Sequence, residues 1–435
     1  MTGKLAVFGM AARLRVALLL ALLVAPPGFA FSFLTHETII DIAWESGIKP
    51  VLLSQYPNTT PEQLKLAHAY AYGGSVIQDA GYYPFGHPPF SNLAHYVRTG
   101  DFVTNLIRQS HNVNELAFAL GALSHYVGDT IGHREVVNLS VPMEFPNLAQ
   151  QYGPVVTYEE SPTAHVRTEW AFDIDQLSHS RFPPAAYLRH VGFRVPRALL
   201  ERAFWATYGL RLERVIGNEG HATASYDWAV RQFLPRVSYA EVLLHRKSFP
   251  ADEDTPAFHT FEARLRAASA SHGWEAFRKH KPSWETRLVA FVILLTPKVR
   301  ILSDLSIRGP SRDSEERYVE GVNAAVDSYE HLLGELAQKG HDGFSVPDLD
   351  LDTGYASRPG TYRLMDQTYA SLLRRVTRET ARPPLGLRQN ILAYYSDPNA
   401  PIATKRHPKQ WAKVQQELET LRNMPATRAP TASEQ

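Results

Sequence analysis

Cysteine is absent from the 435-residue sequence. Without thiols the chain can form neither disulfides nor thiolate metal sites, so any bound metal has to be held by nitrogen and oxygen. Net charge is nearly absent too, with 45 Lys and Arg against 44 Asp and Glu. That balance implies neither a polyanion-coating surface nor an acidic tail. Long apolar runs are scarce: VAFVILL, inside a helix expected over residues 287–301, is too short to span a bilayer and reads as a buried core helix. Runs that read as strands are few, and no repeat at a fixed period is present. Three signatures are also missing: His-Glu-x-x-His of zinc proteases, paired Glu-x-x-His of di-iron bundles, and Gly-x-Ser-x-Gly of serine hydrolases.

At the amino terminus, Lys4, Arg13 and Arg15 form a basic region, VALLLALLV follows over residues 16–24, and Gly28 and Ala30 supply small residues before the chain turns polar. This predicts a cleaved signal peptide over residues 1–30 and export to the periplasm or the extracellular space. The mature chain has 42 basic against 44 acidic residues, a net charge of −2, and no expected transmembrane span.

Apolar residues then recur with helical spacing almost throughout, for example His36, Ile39, Ile40, Ala43 and Trp44, or Leu116, Leu120, Leu123 and Val127. Helices are expected over about 114–127, 162–177 and from Pro196 onward, with charged amphipathic ones over 314–338, 361–379 and 408–422. A Pro/Gly-rich connection covers 340–360, and the tail over 425–435 is expected to be disordered. The fold class is all-α. The mature length allows one large domain with an extension, read here as a domain over 31–306 and a helical extension over 307–424.

The chemistry is concentrated before residue 170. In HYVGDTIGH, His125, Asp129 and His133 are each four apart, so one α-helical face would present all three. His165 and Glu169 repeat that spacing in HVRTE. Asp79 and His95 sit among apolar or small neighbours, where an ionisable group is costly unless it is paired or bound to a metal. Polar helix faces or satisfied core groups are the plain alternatives at each position taken alone.

Taken in order, these residues resemble the zinc-dependent phospholipase C family and its relatives, the fungal single-strand-specific nucleases. Members are helical, bind three zinc ions, and begin the mature chain with a residue whose amino and carbonyl groups ligate metal. Their order of terminal residue, His, Asp, His, His-x3-Asp, His and His-x3-Glu is filled here by Phe31, His36, Asp79, His95, His125 with Asp129, His133, and His165 with Glu169. The resemblance implies one zinc on Asp79, His95, His125 and Asp129, a second on His133, His165 and Glu169, and a third on Phe31 and His36 with Asp129 as a bridge. It also implies an exported phosphodiesterase that hydrolyses phospholipids with a metal-activated water oriented or deprotonated by Asp79, with possible peripheral contact to a membrane surface. A single-strand nuclease or nucleotidase on the same centre, or a non-catalytic metal-binding module, are the alternatives.

Three departures from the family pattern stand out. Phe31 replaces the usual Trp. Asp129 to His133 spans four positions where typical members have six, a spacing similar to the amino-terminal domain of glycosylphosphatidylinositol-specific phospholipase D. Ala80, not an aromatic residue, follows Asp79. Tyr82, Tyr83, Phe85 and Phe90 could line a headgroup pocket or merely pack. His87 lies in a loop between two ligands, while His68, His111, His179 and His221 match no ligand position and are expected at the surface or as hydrogen-bond partners of ligands.

Overall fold

The computed structural model describes residues 33–82, 86–216, 254–279 and 309–427, and the regular elements within them are all helical. The all-α expectation therefore holds, with isolated bridges at Leu349–Ala356 and Pro384–Thr427 as the only extended pairing among the described residues. The longer helices are α1 (Phe33–Ala43), α2 (Pro61–Gly74), α3 (Pro88–Tyr96), α4 (Thr99–Arg108), α5 (Val113–Ile131) and α6 (Pro162–Ser178). They continue as α7 (Arg197–Tyr208), α8 (Pro256–His272), α9 (Arg312–Gly343), α10 (Arg363–Glu379), α11 (Leu385–Tyr394) and α12 (Pro408–Asn423). The signal peptide over 1–30, Phe31, Tyr83, Phe85, His221, the helix expected over 287–301 and the end of the tail from residue 428 lie outside the described residues. No helix among the described residues is long and apolar enough to cross a membrane.

Helix α5 organises the molecule. Asn112 caps it, its side-chain oxygen accepting from the amides of Asn114 (3.1 Å) and Glu115 (3.0 Å), and the helix starts one residue earlier than its apolar pattern predicted. Every residue from Glu115 to Thr130 is buried, so α5 is a central helix wrapped on all sides rather than an amphipathic one. Helix α2 begins at a capping box, in which Gln63 and Thr60 exchange side-chain-to-amide hydrogen bonds of 2.8 and 3.3 Å, and packs along α5.

That packing requires glycine. A Cβ on Gly74 would lie 1.9 Å from the Phe118 carbonyl oxygen, and one on Gly121 would lie 2.1 Å from that of Ala71. The two backbones touch, which brings the Ser75 carbonyl to 2.9 Å from His125 Nδ1. Gly121→Ala should therefore push the helices apart. We expect a loss of about 3 kcal/mol in chemical denaturation, because the obstructing atoms are backbone and cannot rotate away. An unchanged denaturation midpoint would show that the contact is not required.

Around this pair, α1 and α9 cover a second side of α5, and α8 packs on α9 and α1. Helix α1 starts where the Asp173 carboxylate, on α6, accepts the amides of Leu34 (3.0 Å) and Thr35 (3.1 Å). Helix α9 runs five residues past its expected end at 338, and its regular geometry breaks at Gly340, where φ is 69°. The connection that follows returns across α3, α4 and α5 before α10 begins.

Candidate metal centre

The residue order read from the sequence converges in space. Asp79 stands in a single 3₁₀ turn (Gln78–Gly81) just beyond α2, His95 near the end of α3, His125 and Asp129 on α5, and His36 on α1. Asp129 Oδ1 lies 3.2 Å from His36 Nε2, and its Oδ2 lies 3.0 Å from His125 Nε2 and 3.3 Å from His95 Nε2. Asp79 Oδ1 is 3.3 Å from His95 Nε2 and 4.0 Å from His125 Nε2. His133 and His165 both meet Glu169 Oε1, at 3.3 and 2.8 Å. Three sets of ligand atoms result: His36, His125 and Asp129; Asp79, His95 and His125; and His133, His165 and Glu169. All eight residues are at most 1 % exposed.

His133 corrects the simple helical-face reading. Spacing by four should place it beside His125 and Asp129, but α5 ends at Ile131 and the chain continues as a π turn over Gly132–Val137. The wider turn rotates His133 away from Asp129 and toward His165 and Glu169 on α6.

Whether these groups suit a metal is decided by their proton positions. His125 Nδ1 donates to the Ser75 carbonyl (2.9 Å), His95 Nδ1 to that of Ser91 (2.8 Å), and His133 Nδ1 to that of Leu351 (2.6 Å). A carbonyl accepts only, so each ring carries a proton on Nδ1 and turns inward an Nε2 atom whose lone pair can take a second proton or a metal. Facing those lone pairs are carboxylate oxygens of Asp79 and Asp129 that make no hydrogen bond, deeply buried. Lone pairs opposed at 3.0 to 3.3 Å call for a cation between them. Tetrahedral zinc with bonds of roughly 2.0–2.1 Å sets neighbouring ligand atoms about 3.3 Å apart, so the donor set and its spacing fit zinc.

Electrostatics agrees. Burial, reinforced by the Asp79 and Asp129 charges, pushes the Glu169 carboxyl well above its ordinary range, and burial holds His165 well below. Burial would also raise Asp129, but the imidazoles of His125, His36 and His95 reverse this and hold it well below the carboxylate range. Buried carboxylates whose charges raise one another are what a multivalent cation offsets.

A further cluster, Asp41 with His68 and His272, differs in kind. His68 Nε2 lies 2.7 Å from Asp41 Oδ1, Tyr72 donates to the same oxygen at 2.8 Å, and His272 Nε2 reaches the Asp41 carbonyl at 3.1 Å. These are ordinary hydrogen-bond lengths. His68, a candidate surface residue by sequence, is instead buried because its ring stacks on Trp44 at 4.2 Å. Phe90 is likewise a core residue, stacked on Phe204, while Tyr82 packs against His95 and Tyr158 against His165. His87 and His111 are exposed and His179 is half-buried near Asp175.

Sequence reasoning missed Tyr158, Asp173, Leu351 and Asp352. Only the alternation of Asp with Leu in PDLDLD, inside an otherwise loop-like stretch, hinted that acidic residues there turn inward.

Among the described residues, fold and site together define a helical protein built around clustered His and carboxylate side chains that could hold metal. Residues 35–218 match the family described as zinc dependent phospholipase C. No curated protein and no solved structure matches the chain. The matched span holds every predicted ligand except Phe31.

Proposed function

We propose that the chain is an exported phosphodiesterase of phospholipase C type, hydrolysing phospholipid phosphodiesters at this centre. The observation that carries the reading is the set of carbonyl-fixed imidazoles whose Nε2 atoms face unpaired, buried carboxylates within the family-matched span. Zinc held there supplies Lewis-acid polarisation of a phosphoryl oxygen and lowers the pKa of water toward neutrality. In this reading Asp79, whose two oxygens make no hydrogen bond, would orient the water and take its proton. The partly exposed rings of Tyr82 and Tyr158, 6.2 Å apart, flank His95 and His165 and form the substrate-facing rim. Exposed Met143, Tyr152 and Val155 precede Tyr158 and support contact with a lipid surface. In this reading cleavage after Ala30 frees Phe31 as a further ligand beside His36, and the Asp173 carboxylate fixes the start of α1 through the Leu34 and Thr35 amides.

The test is to purify the protein with Phe31 as its native terminus, count bound zinc, and compare hydrolysis of phosphatidylcholine micelles with that of single-stranded DNA and RNA. Zinc together with release of diacylglycerol is expected. A zinc-free protein overturns the metal reading, and cleavage of nucleic acid alone overturns the lipid one.

A further inference from the structure

Leu351 lies more than a hundred residues beyond the family-matched span, yet its peptide group touches two ligand-bearing segments. Its amide donates to the His95 carbonyl at 2.9 Å, and its carbonyl accepts from His133 Nδ1 at 2.6 Å. His95 and His133 belong to different ligand sets, so one residue sets the register between them. The carbonyl also determines which nitrogen of His133 is bare.

A main-chain carbonyl is aimed by whatever holds its neighbours. Next to it stands Asp352, 3 % exposed, whose Oδ2 accepts from the hydroxyls of Tyr96 (2.8 Å) and Tyr362 (2.7 Å). The Asp352 carbonyl accepts from Asn138 Nδ2 at 2.7 Å. Tyr96 follows His95 directly, and Asn138 is the first residue after the π turn that carries His133. Asp352 therefore fastens the stretch of chain bearing Leu351 to both ligand segments, its carboxylate to Tyr96 beside His95 and its main-chain carbonyl to Asn138 beyond His133, while Tyr362 holds the carboxylate from the other side. A buried carboxylate is tolerated only with such donors, and here one of them, Tyr96, belongs to a ligand-bearing segment.

We propose that residues 347–355 complete the metal centre, with Asp352 as the positioning residue that keeps the Leu351 carbonyl on His133. The His133, His165 and Glu169 set then depends on the carboxy-terminal part of the chain, and residues 35–218 alone do not make a full centre. The inference rests on the metal reading above.

The test uses the full chain and zinc alone as the probe, titrated against a chromophoric chelator. In Asp352→Ala, one zinc should bind about 10- to 100-fold more weakly while the rest are retained, as for other hydrogen-bond partners of metal-ligating histidines. Helical circular dichroism should be unchanged, and kcat should fall more than KM rises. Tyr362→Phe, which removes one donor and keeps the shape, should show a smaller shift at the same site and serves if the alanine variant fails to fold. Asp366→Asn is the control: Asp366 is equally buried and accepts from Tyr394 and Gly360, neither of them a neighbour of a ligand, so its zinc affinities should match the parent even if its melting temperature drops. Unaltered zinc affinity in the folded Asp352 or Tyr362 variants overturns the inference, as does equal zinc loss in the Asp366 variant. If the parent protein binds no zinc at all, the metal reading has failed instead.

Discussion

Asp129→Asn should lower kcat/KM by ~10³-fold or more, about 4 kcal/mol of transition-state stabilisation, while leaving the helical fold in place. The size follows from geometry. One carboxylate faces His36 through Oδ1 and both His125 and His95 through Oδ2, so it belongs to one ligand set and also faces two members of a second. An amide of the same shape puts an N–H donor where one pair of lone pairs was, opposite an Nε2 atom, and removes the negative charge that offsets closely spaced cations. Zinc content should fall but not to zero, because His133, His165 and Glu169 form a set of ligand atoms that does not include Asp129. Elemental analysis beside circular dichroism reads both effects. A structural ion pair behaves differently: breaking it costs about 3–5 kcal/mol of stability and moves no metal. If Asp129→Asn keeps its full zinc complement and activity within a few-fold of the parent, Asp129 is a structural residue.

Much of this centre could be read before any coordinates because its ligands come mainly from side chains on helices, where spacing carries information. His125 with Asp129, and His165 with Glu169, each meet at i, i+4 as read. The buried settings of Asp79 and His95 followed from their apolar neighbours. What stayed hidden has physical causes. The π turn that redirects His133 has no residue signature beyond Gly132, since it changes hydrogen-bond register and not composition. Leu351 acts through its peptide group, which every residue has, so nothing in its side chain could mark it. Asp173 caps a helix 138 residues earlier in the chain, a pairing that only tertiary packing creates. His68 was misplaced because a lone histidine between helix-spaced residues reads equally well as a face in water or a face against Trp44.

Metal removal should reverse the sign of the stability–pH slope above pH 6.5. In the metal-free fold, burial lowers the pKa of His95, but the Asp129 and Asp79 carboxylates override it and raise His95 well above its ordinary 6.5. The same balance raises His125, and burial followed by the Asp79 and Asp129 charges raises Glu169 far above its ordinary 4.5. Each of these groups contributes stability that is complete below its unfolded pKa and is lost as pH climbs through the folded value. His36 and His165 are lowered, mainly by burial, so their contribution is present above 6.5 and is lost only below it. Between pH 6.5 and 8.5 the raised groups alone act, and stability of the metal-free protein must fall with pH. The loaded protein runs the other way, because metal and proton compete for the same Nε2 and carboxylate atoms and binding strengthens as protons leave. Thermal melts of chelator-stripped and zinc-loaded protein across this window should therefore diverge, the gap in melting temperature widening with pH. Each proton involved contributes about 1.4 kcal/mol per pH unit at most, so a divergence of several degrees is expected. Parallel slopes in the two forms would mean that protons and metal do not share these atoms, and the ligand assignment would fall with that result.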